Sequence, residues 1–421
     1  MQHIFRILLR SRDNNRGMMS NESTKKARIM NQKDNMTSIE CRMRLKPIVP
    51  IEFTEDIPLH DAYVGIIKDK KNFAVAIKII AAILPGFGHL KRCFNNKLLL
   101  SYINKKSDPV KPSFETEVEL KQFLVDKKFD LNLFEDNFAI ISIPKIASKS
   151  LEQAKKAAKY WPVSFHLDTE LESIMNGTFF TLNQVDVIQA CMKVCIEATK
   201  KATVGNDICN GAAVILNPND CGVSKILAIS AARLHEHPMW HASMLAIDLI
   251  AAMRGKGAWN LISNVNDFIY DNSRKRKLQS NLPLCYPQTL RAIDVPKFNY
   301  STNIKSKTKN DNTQEDCKYL CTKYWIFLVQ EPCAMCAMAL VHSRVGMVFY
   351  STSNKSYGVL GSKTSLNTLP GLNHRYKVWD SIEPVKAFRA LKLSLPVIQI
   401  QVIHNISLEI FKFFIGVERR K

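Results

Sequence analysis

Apolar positions in this chain repeat with two different periods, and the switches between them divide it into two folded blocks. In residues 46–165, AYVGIIKD (62–69), LLLSYI (98–103) and FAIISIP (138–144) are short apolar runs that predict strands. KNFAVAIKIIAAILPG (71–86) has helical spacing and stops at Pro85-Gly86. FETEVELKQFLVDK (114–127) predicts an amphipathic helix, and Ser148 is the candidate cap of the helix after it. Residues 166–380 repeat the theme. Helices are expected at QVDVIQACMKVCIEATKKA (184–202), ASMLAIDLIAAM (242–253) and AMCAMALVHSR (334–344). Strands are expected at GAAVILNP (211–218), KILAIS (225–230), KYWIFLVQ (323–330) and GMVFYST (346–352). Strands alternating with helices predict two α/β domains.

Three segments break the pattern. Residues 1–45 form a basic stretch, expected to be a disordered tail, with residues 1–20 acting as a mitochondrial presequence in the alternative reading. Residues 254–317 carry 11 Lys/Arg against 6 Asp/Glu, include RKRK (274–277), and are expected to be a disordered insertion. Residues 381–421 form a C-terminal tail of unassigned role. Its apolar stretch Leu391–Val417 is interrupted by Pro396, Gln399, Gln401, His404, Asn405 and Glu409, so it predicts no membrane span.

Composition then narrows the function. A formal net charge of +21 in 421 residues points to a polyanionic partner, most simply a nucleic acid. The competing reading is a solvated basic surface. The candidate RNA contacts in the first block are Lys91 and Arg92 in HLKR, with Lys149, Lys156 and Lys159 on one side of a predicted helix. Eleven cysteines, an odd number without dense regular spacing, suit reduced thiols in the cytoplasm or nucleus. Cys191 and Cys195 would share a helix face and are expected to be core residues.

Cys333 and Cys336 differ from that pair. They open a helix as Pro-Cys-x-x-Cys just past a strand, where i and i+3 side chains share a side and the helix N-terminus favours thiolates. His241 opens another helix. One imidazole and two thiolates suit a tetrahedral Zn²⁺ ion. A redox dithiol is the competitor, but the surrounding sequence lacks a thioredoxin-like pattern.

The constellation His…Pro-Cys-x-x-Cys resembles the cytidine/deoxycytidylate deaminase superfamily. HPMWHASMLAIDLIA, EPCAMCAMALVHSR, GVLGS and LNHRYKV are similar to the branch containing the third, non-catalytic subunit of the eukaryotic tRNA-specific adenosine deaminase. The resemblance implies a cytidine-deaminase-like three-layer α/β/α domain preceded by a small α/β domain that helps hold tRNA. It implies zinc at His241, Cys333 and Cys336, and a heterodimer with a catalytic deaminase subunit. It also puts Ser243 where a catalytic deaminase carries its glutamate. A serine hydroxyl is too weak a base to move protons near neutral pH, so this chain is expected to be inactive by itself. Glu236 and Glu331 are the nearby acids that would have to replace the lost carboxylate. The rival readings are a self-sufficient nucleoside or RNA deaminase and a zinc-stabilised RNA-binding protein without a deaminase partner.

Overall fold

The computed structural model describes residues 44–103, 114–203, 211–220, 222–261, 268–270, 276–278, 282–302 and 321–382. The predicted presequence and the tail at 383–421 lie outside the described residues. No described helix is long and apolar enough to cross a membrane. The chain divides into two compact units, Val49–Thr181 and a larger one made of residues up to Ile48 together with Leu182–Lys421. The second division falls beyond residue 165, because the helix Thr169–Met175 belongs to the smaller unit.

The first strand, β1 (Arg44–Pro47), belongs to the larger unit. The smaller unit then contributes β2 (Leu59–Ile66), α1 (Phe73–Ile83), β3 (Cys93–Phe94), β4 (Lys97–Tyr102), α2 (Glu117–Asp126), β5 (Ala139–Pro144), α3 (Leu151–Ala157) and α4 (Thr169–Met175). Its sheet is antiparallel in the order β3-β4-β2-β5. Both faces of β2 are covered, which explains its nearly continuous apolar run. Tyr63 faces Ile80, Leu120 and Phe134. Ala62 and Val64 face Phe87, Leu90 and Trp161, and the Trp161 indole donates to Lys91 O at 2.7 Å. Helix α2 starts with the capping box Thr116–Glu119.

Helix α3 corrects the expected cap. Ser150, not Ser148, accepts from Gln153 N, and the Gln153 side chain accepts in return from Ser150 N. The reciprocal box needs an amide or carboxylate three residues on, and only Ser150 has one. Ser148 Oγ is buried without a hydrogen-bond partner.

The larger unit continues with α5 (Leu182–Ala202), β6 (Ala212–Asp220), β7 (Val223–Ala231), α6 (Ala242–Met253), β8 (Phe268–Tyr270), β9 (Arg276–Leu278), β10 (Leu284–Tyr286), β11 (Trp325–Gln330), α7 (Ala334–His342), β12 (Met347–Thr352) and β13 (Lys377–Ile382). Seven strands form a mixed sheet in the order β1-β13-β12-β11-β6-β7-β10. β11, β12 and β13 run parallel, and β11 pairs antiparallel with β6. Period-two alternation sorts the faces. Ile215, Ile326, Leu328, Val348 and Tyr350 pack under Leu245 and Leu249 of α6 and Leu340 of α7. Phe327, Phe349 and Trp379 stack on the opposite face, with centroids 4.9 and 5.3 Å apart. Helix α5 lies on that second face, where the Cys195 thiol meets Ala212 O and Phe327 O. The result is a three-layer α/β/α domain. Cys191 and Cys195 are core residues, and burial pushes the Cys191 thiol up.

Part of the insertion expected at 254–317 is built into this domain. β10 extends the sheet beside β7, and Leu290, Ile293 and Thr302 are buried with it. β8 and β9 pair with each other, so residues 276 and 277 of the basic run lie in a strand. Short apolar runs such as LPLCY supply the burial that the polar average conceals. Residues 303–320 lie outside the described residues.

Candidate metal centre

Two helix starts converge at the centre. His241 is the N-cap of α6 and Cys333 the N-cap of α7, both with extended backbone. Neither side chain caps its own helix, although such positions usually carry Ser, Thr, Asp or Asn for that purpose. The side chains are turned instead toward each other. Cys336, one turn into α7, joins them, and the three potential ligand atoms lie within 4.8 Å of one another.

This donor set fits zinc. Zn–S and Zn–N bonds of about 2.3 and 2.05 Å at tetrahedral angles put ligand atoms about 3.6–3.8 Å apart. Cys333 Sγ and His241 Nδ1 are 3.9 Å apart. His241 Nε2 is buried without a hydrogen-bond partner, so the protein leaves that ring only partly satisfied. The hydrogen bond from Cys336, helped by nearby His241, holds the Cys333 thiol well below its ordinary value. The same bond and burial push Cys336 well above it. A zinc ion there would be held by His241, Cys333 and Cys336 and would keep both sulfurs as thiolates.

Ser243 is buried on the first turn of α6, two residues beyond His241. Among the described residues, the ligand cluster includes no carboxylate. The two neighbouring acids are engaged elsewhere. Glu331 Oε1 accepts from Leu360 N at 2.8 Å and Ser362 N at 3.0 Å, while Oε2 accepts from Asn354 N at 2.9 Å and from the Ser362 hydroxyl. A side chain at Gly358 would place its Cβ 2.2 Å from that carboxylate, so glycine is required there. Glu236 accepts from the Tyr286 hydroxyl at 3.2 Å and lies 3.7 Å from Arg233 and 3.4 Å from His235. Asp248, on α6, accepts from Ala258 N at 2.5 Å and Trp259 N at 3.4 Å, holding the turn after the helix.

Sequence reasoning missed the aromatic wall beside His241. Trp240 lies 5.6 Å from His237, 5.5 Å from Tyr286 and 6.3 Å from Trp259 by ring centroids. Trp259 and Tyr286 come from the insertion, and their aromatic character against a polar background was the available signal.

The candidate RNA residues all fall in the smaller unit but do not act alike. Arg92 is built into the fold: its guanidinium donates to Leu84 O at 2.8 Å and Gly86 O at 3.3 Å and packs over Phe87. Burial lowers its pKa to about 10. Lys149 pairs with Glu52 at 2.6 Å, and Lys156 with Asp56 at 2.8 Å and Glu152 at 3.3 Å. Lys91 and Lys159 are exposed.

No family model matches the chain. Among curated proteins, it is 28% identical to "Probable inactive tRNA-specific adenosine deaminase-like protein 3" of Danio rerio, over 83% of this chain and 95% of that protein. It is 37% identical to "tRNA-specific adenosine deaminase TAD3" of Arabidopsis thaliana over 37% of this chain and 36% of that one. The chain is similar to proteins named inactive tRNA-specific adenosine deaminase-like protein 3 over most of its length. The matched 83% exceeds what the larger unit can hold, so the similarity extends into the smaller unit as well. A solved structure from work on A-to-I editing by tRNA A34 deaminases overlays 46% of this chain and 97% of its own, at 14% identity and a TM-score of 0.28.

Proposed function

We propose that this chain is a zinc-binding, non-catalytic subunit of a heterodimeric deaminase that converts adenosine to inosine at the tRNA wobble position. The observation that carries the reading is Ser243: a buried hydroxyl at the position the resemblance assigns to the proton shuttle, beside the candidate ligands His241, Cys333 and Cys336. Hydrolytic deamination needs a group that takes a proton from water and delivers it to the ring and the leaving amine. Serine does not do this near neutral pH, and Glu331 and Glu236 are committed to other bonds. Bound zinc supplies Lewis acidity in catalytic relatives and folding free energy in any site of this kind. Here His241 and the two cysteines hold it, tying the starts of α6 and α7 together.

Two further lines support the reading. Relatives from Schizosaccharomyces pombe and Saccharomyces cerevisiae are named subunits of a tRNA-specific adenosine deaminase. The net charge of +21 suits a protein that holds an RNA polyanion. The deciding experiment assays the zinc-loaded chain on tRNA, alone and with a catalytic deaminase chain, reading inosine at the wobble base. Inosine should appear only with the partner, and the two chains should co-purify. Inosine made by this chain alone would overturn the proposal.

A further inference from the structure

The smaller unit carries two kinds of lysine. Lys68, Lys121, Lys149 and Lys156 each stand 2.6–3.5 Å from a carboxylate. Among the described residues, no carboxylate pairs with Lys91, Lys97 or Lys159, and residues 87–102 and 153–167 contain no Asp or Glu at all. These two acid-free segments lie side by side. Leu90 bridges Val163, Lys91 N donates to Pro162 O at 2.8 Å, and the Trp161 indole closes the contact at Lys91 O. Aromatic rings share the same surface. The turn Phe94–Asn95–Asn96–Lys97, with Asn95 at φ 55°, joins β3 to β4 and sets Phe94 opposite Lys97, so both side chains leave one face of the sheet. Phe94 stands edge-on to buried Trp161 with centroids 6.1 Å apart, and it is 47% exposed. Tyr160, the residue before that tryptophan, is 53% exposed.

We propose that this surface binds single-stranded RNA, Phe94 and Tyr160 each stacking on a base while Lys91, Lys97 and Lys159 neutralise the surrounding phosphates. The proposal rests on the RNA-holding part of the function above and adds the form of RNA that is held: unpaired nucleotides. Scattered exposed apolar side chains are ordinary. Two exposed rings adjoining one tryptophan, bordered by three unpaired cations and by no acid, form a patch with a single sign of charge and flat apolar faces. A duplex hides its base faces and presents phosphates and groove edges, which lysines alone can meet. An unpaired nucleotide presents a face as well, and an aromatic ring covers that face whatever the base. Charge decides against a protein as the occupant, because the lysines would need an acidic partner while the rings would need an apolar one, and a nucleotide offers both within one residue.

The test measures binding of the full chain to a fluorescent single-stranded RNA of about 12 nucleotides, and to an abasic strand of the same length and charge. The native chain should prefer the strand with bases. Tyr160→Ala and Phe94→Leu should each weaken binding to that strand about 5–150-fold and leave binding to the abasic strand unchanged. Leucine keeps an apolar contact with Trp161, and native thermal midpoints confirm that both variants fold. Lys91→Gln and Lys159→Gln should weaken both ligands alike, each lowering the slope of log affinity against log salt by about 0.7. Equal affinity for the two strands, or native affinity in both aromatic variants, would overturn the proposal. So would aromatic variants that keep native RNA binding and no longer co-purify with a catalytic deaminase chain, since the surface would then belong to a protein partner. Failure of the function above reads differently: no inosine forms with the catalytic chain present, while the preference for the strand with bases persists.

Discussion

Replacing Glu331 by glutamine tests whether that acid belongs to the fold or to chemistry. The carboxylate accepts four hydrogen bonds from the loop 354–362, two on each oxygen. Glutamine keeps one oxygen and turns an amide N–H₂ toward two donors. The cheaper orientation places that amide at the Oε2 side, where the Ser362 hydroxyl rotates to accept but Asn354 N–H loses its acceptor. One partly buried donor left unpaired costs about 1–3 kcal/mol, and the two surviving bonds at Oε1 lose their charge assistance, for a total of about 3 kcal/mol. In a unit of this size that corresponds to a fall in melting temperature of about 6–12 °C. The assay is thermal unfolding combined with amide hydrogen exchange, because a chain of two units need not unfold in one step. Exchange at Asn354, Leu360 and Ser362 should accelerate together, and Gly358→Ala, which displaces the same carboxylate, should reproduce that pattern. A midpoint lowered by less than about 2 °C, with those amides still protected, would refute the argument. Loss of deaminase activity in an equally stable Glu331→Gln complex would point instead to a chemical role.

Metal analysis of His241→Ala, Cys333→Ser and Cys336→Ser should show loss of stoichiometric zinc and a lower thermal midpoint, and full zinc in any of the three removes that residue from the ligand set. Arg92→Leu should destabilise the smaller unit by about 2 kcal/mol in denaturant melts, since Leu84 O and Gly86 O lose a charged donor; unchanged stability would return Arg92 to the list of free surface cations. Asp380 has its carboxyl raised by burial, with Lys46 pulling the other way, so the folded state binds its proton more tightly than the unfolded chain does. The stability linked to Asp380 is then complete below its unfolded value of about 3.9 and is lost as pH rises through the raised folded value. Asp380→Asn should therefore stabilise the larger unit at neutral pH, with the gain vanishing in acid, and a gain independent of pH would contradict the sign.

What the sequence made legible follows the range of the interactions. Helix α6 runs from Ala242 to Met253, as its spacing predicts, because apolar periodicity and the stop at Arg254–Gly255 are local. Ligand identity was legible for the same reason: Pro-Cys-x-x-Cys is a local arrangement. The strand β1 was not, since RLKP has no alternation of its own and becomes a strand only by pairing with β13 more than 300 residues later. β10 was hidden because three residues of LPLCY sit inside a basic, polar stretch. The role of Glu331 was also out of reach. Its place before the ligands was visible, but its partners come from a loop more than 20 residues downstream.

The persistence of the ligands without the acid has a physical basis in these positions. His241 and Cys333 are where two core helices begin, and those helices cover the sheet through Leu245, Leu249 and Leu340. Under the proposed function, deleting a ligand there would release a helix end together with the metal bracing it, a loss shared by the whole domain. The position of Ser243 carries no such obligation. A carboxylate at position 243 would serve only the proton transfer, which the proposed function assigns to a second subunit. On this argument, installing glutamate by Ser243→Glu should lower zinc affinity or stability without creating deaminase activity, because the glutamate would place a charge at a buried position and have no prepared substrate geometry. Inosine formation by a Ser243→Glu chain alone would show that the site had kept its chemical architecture and lost only its base.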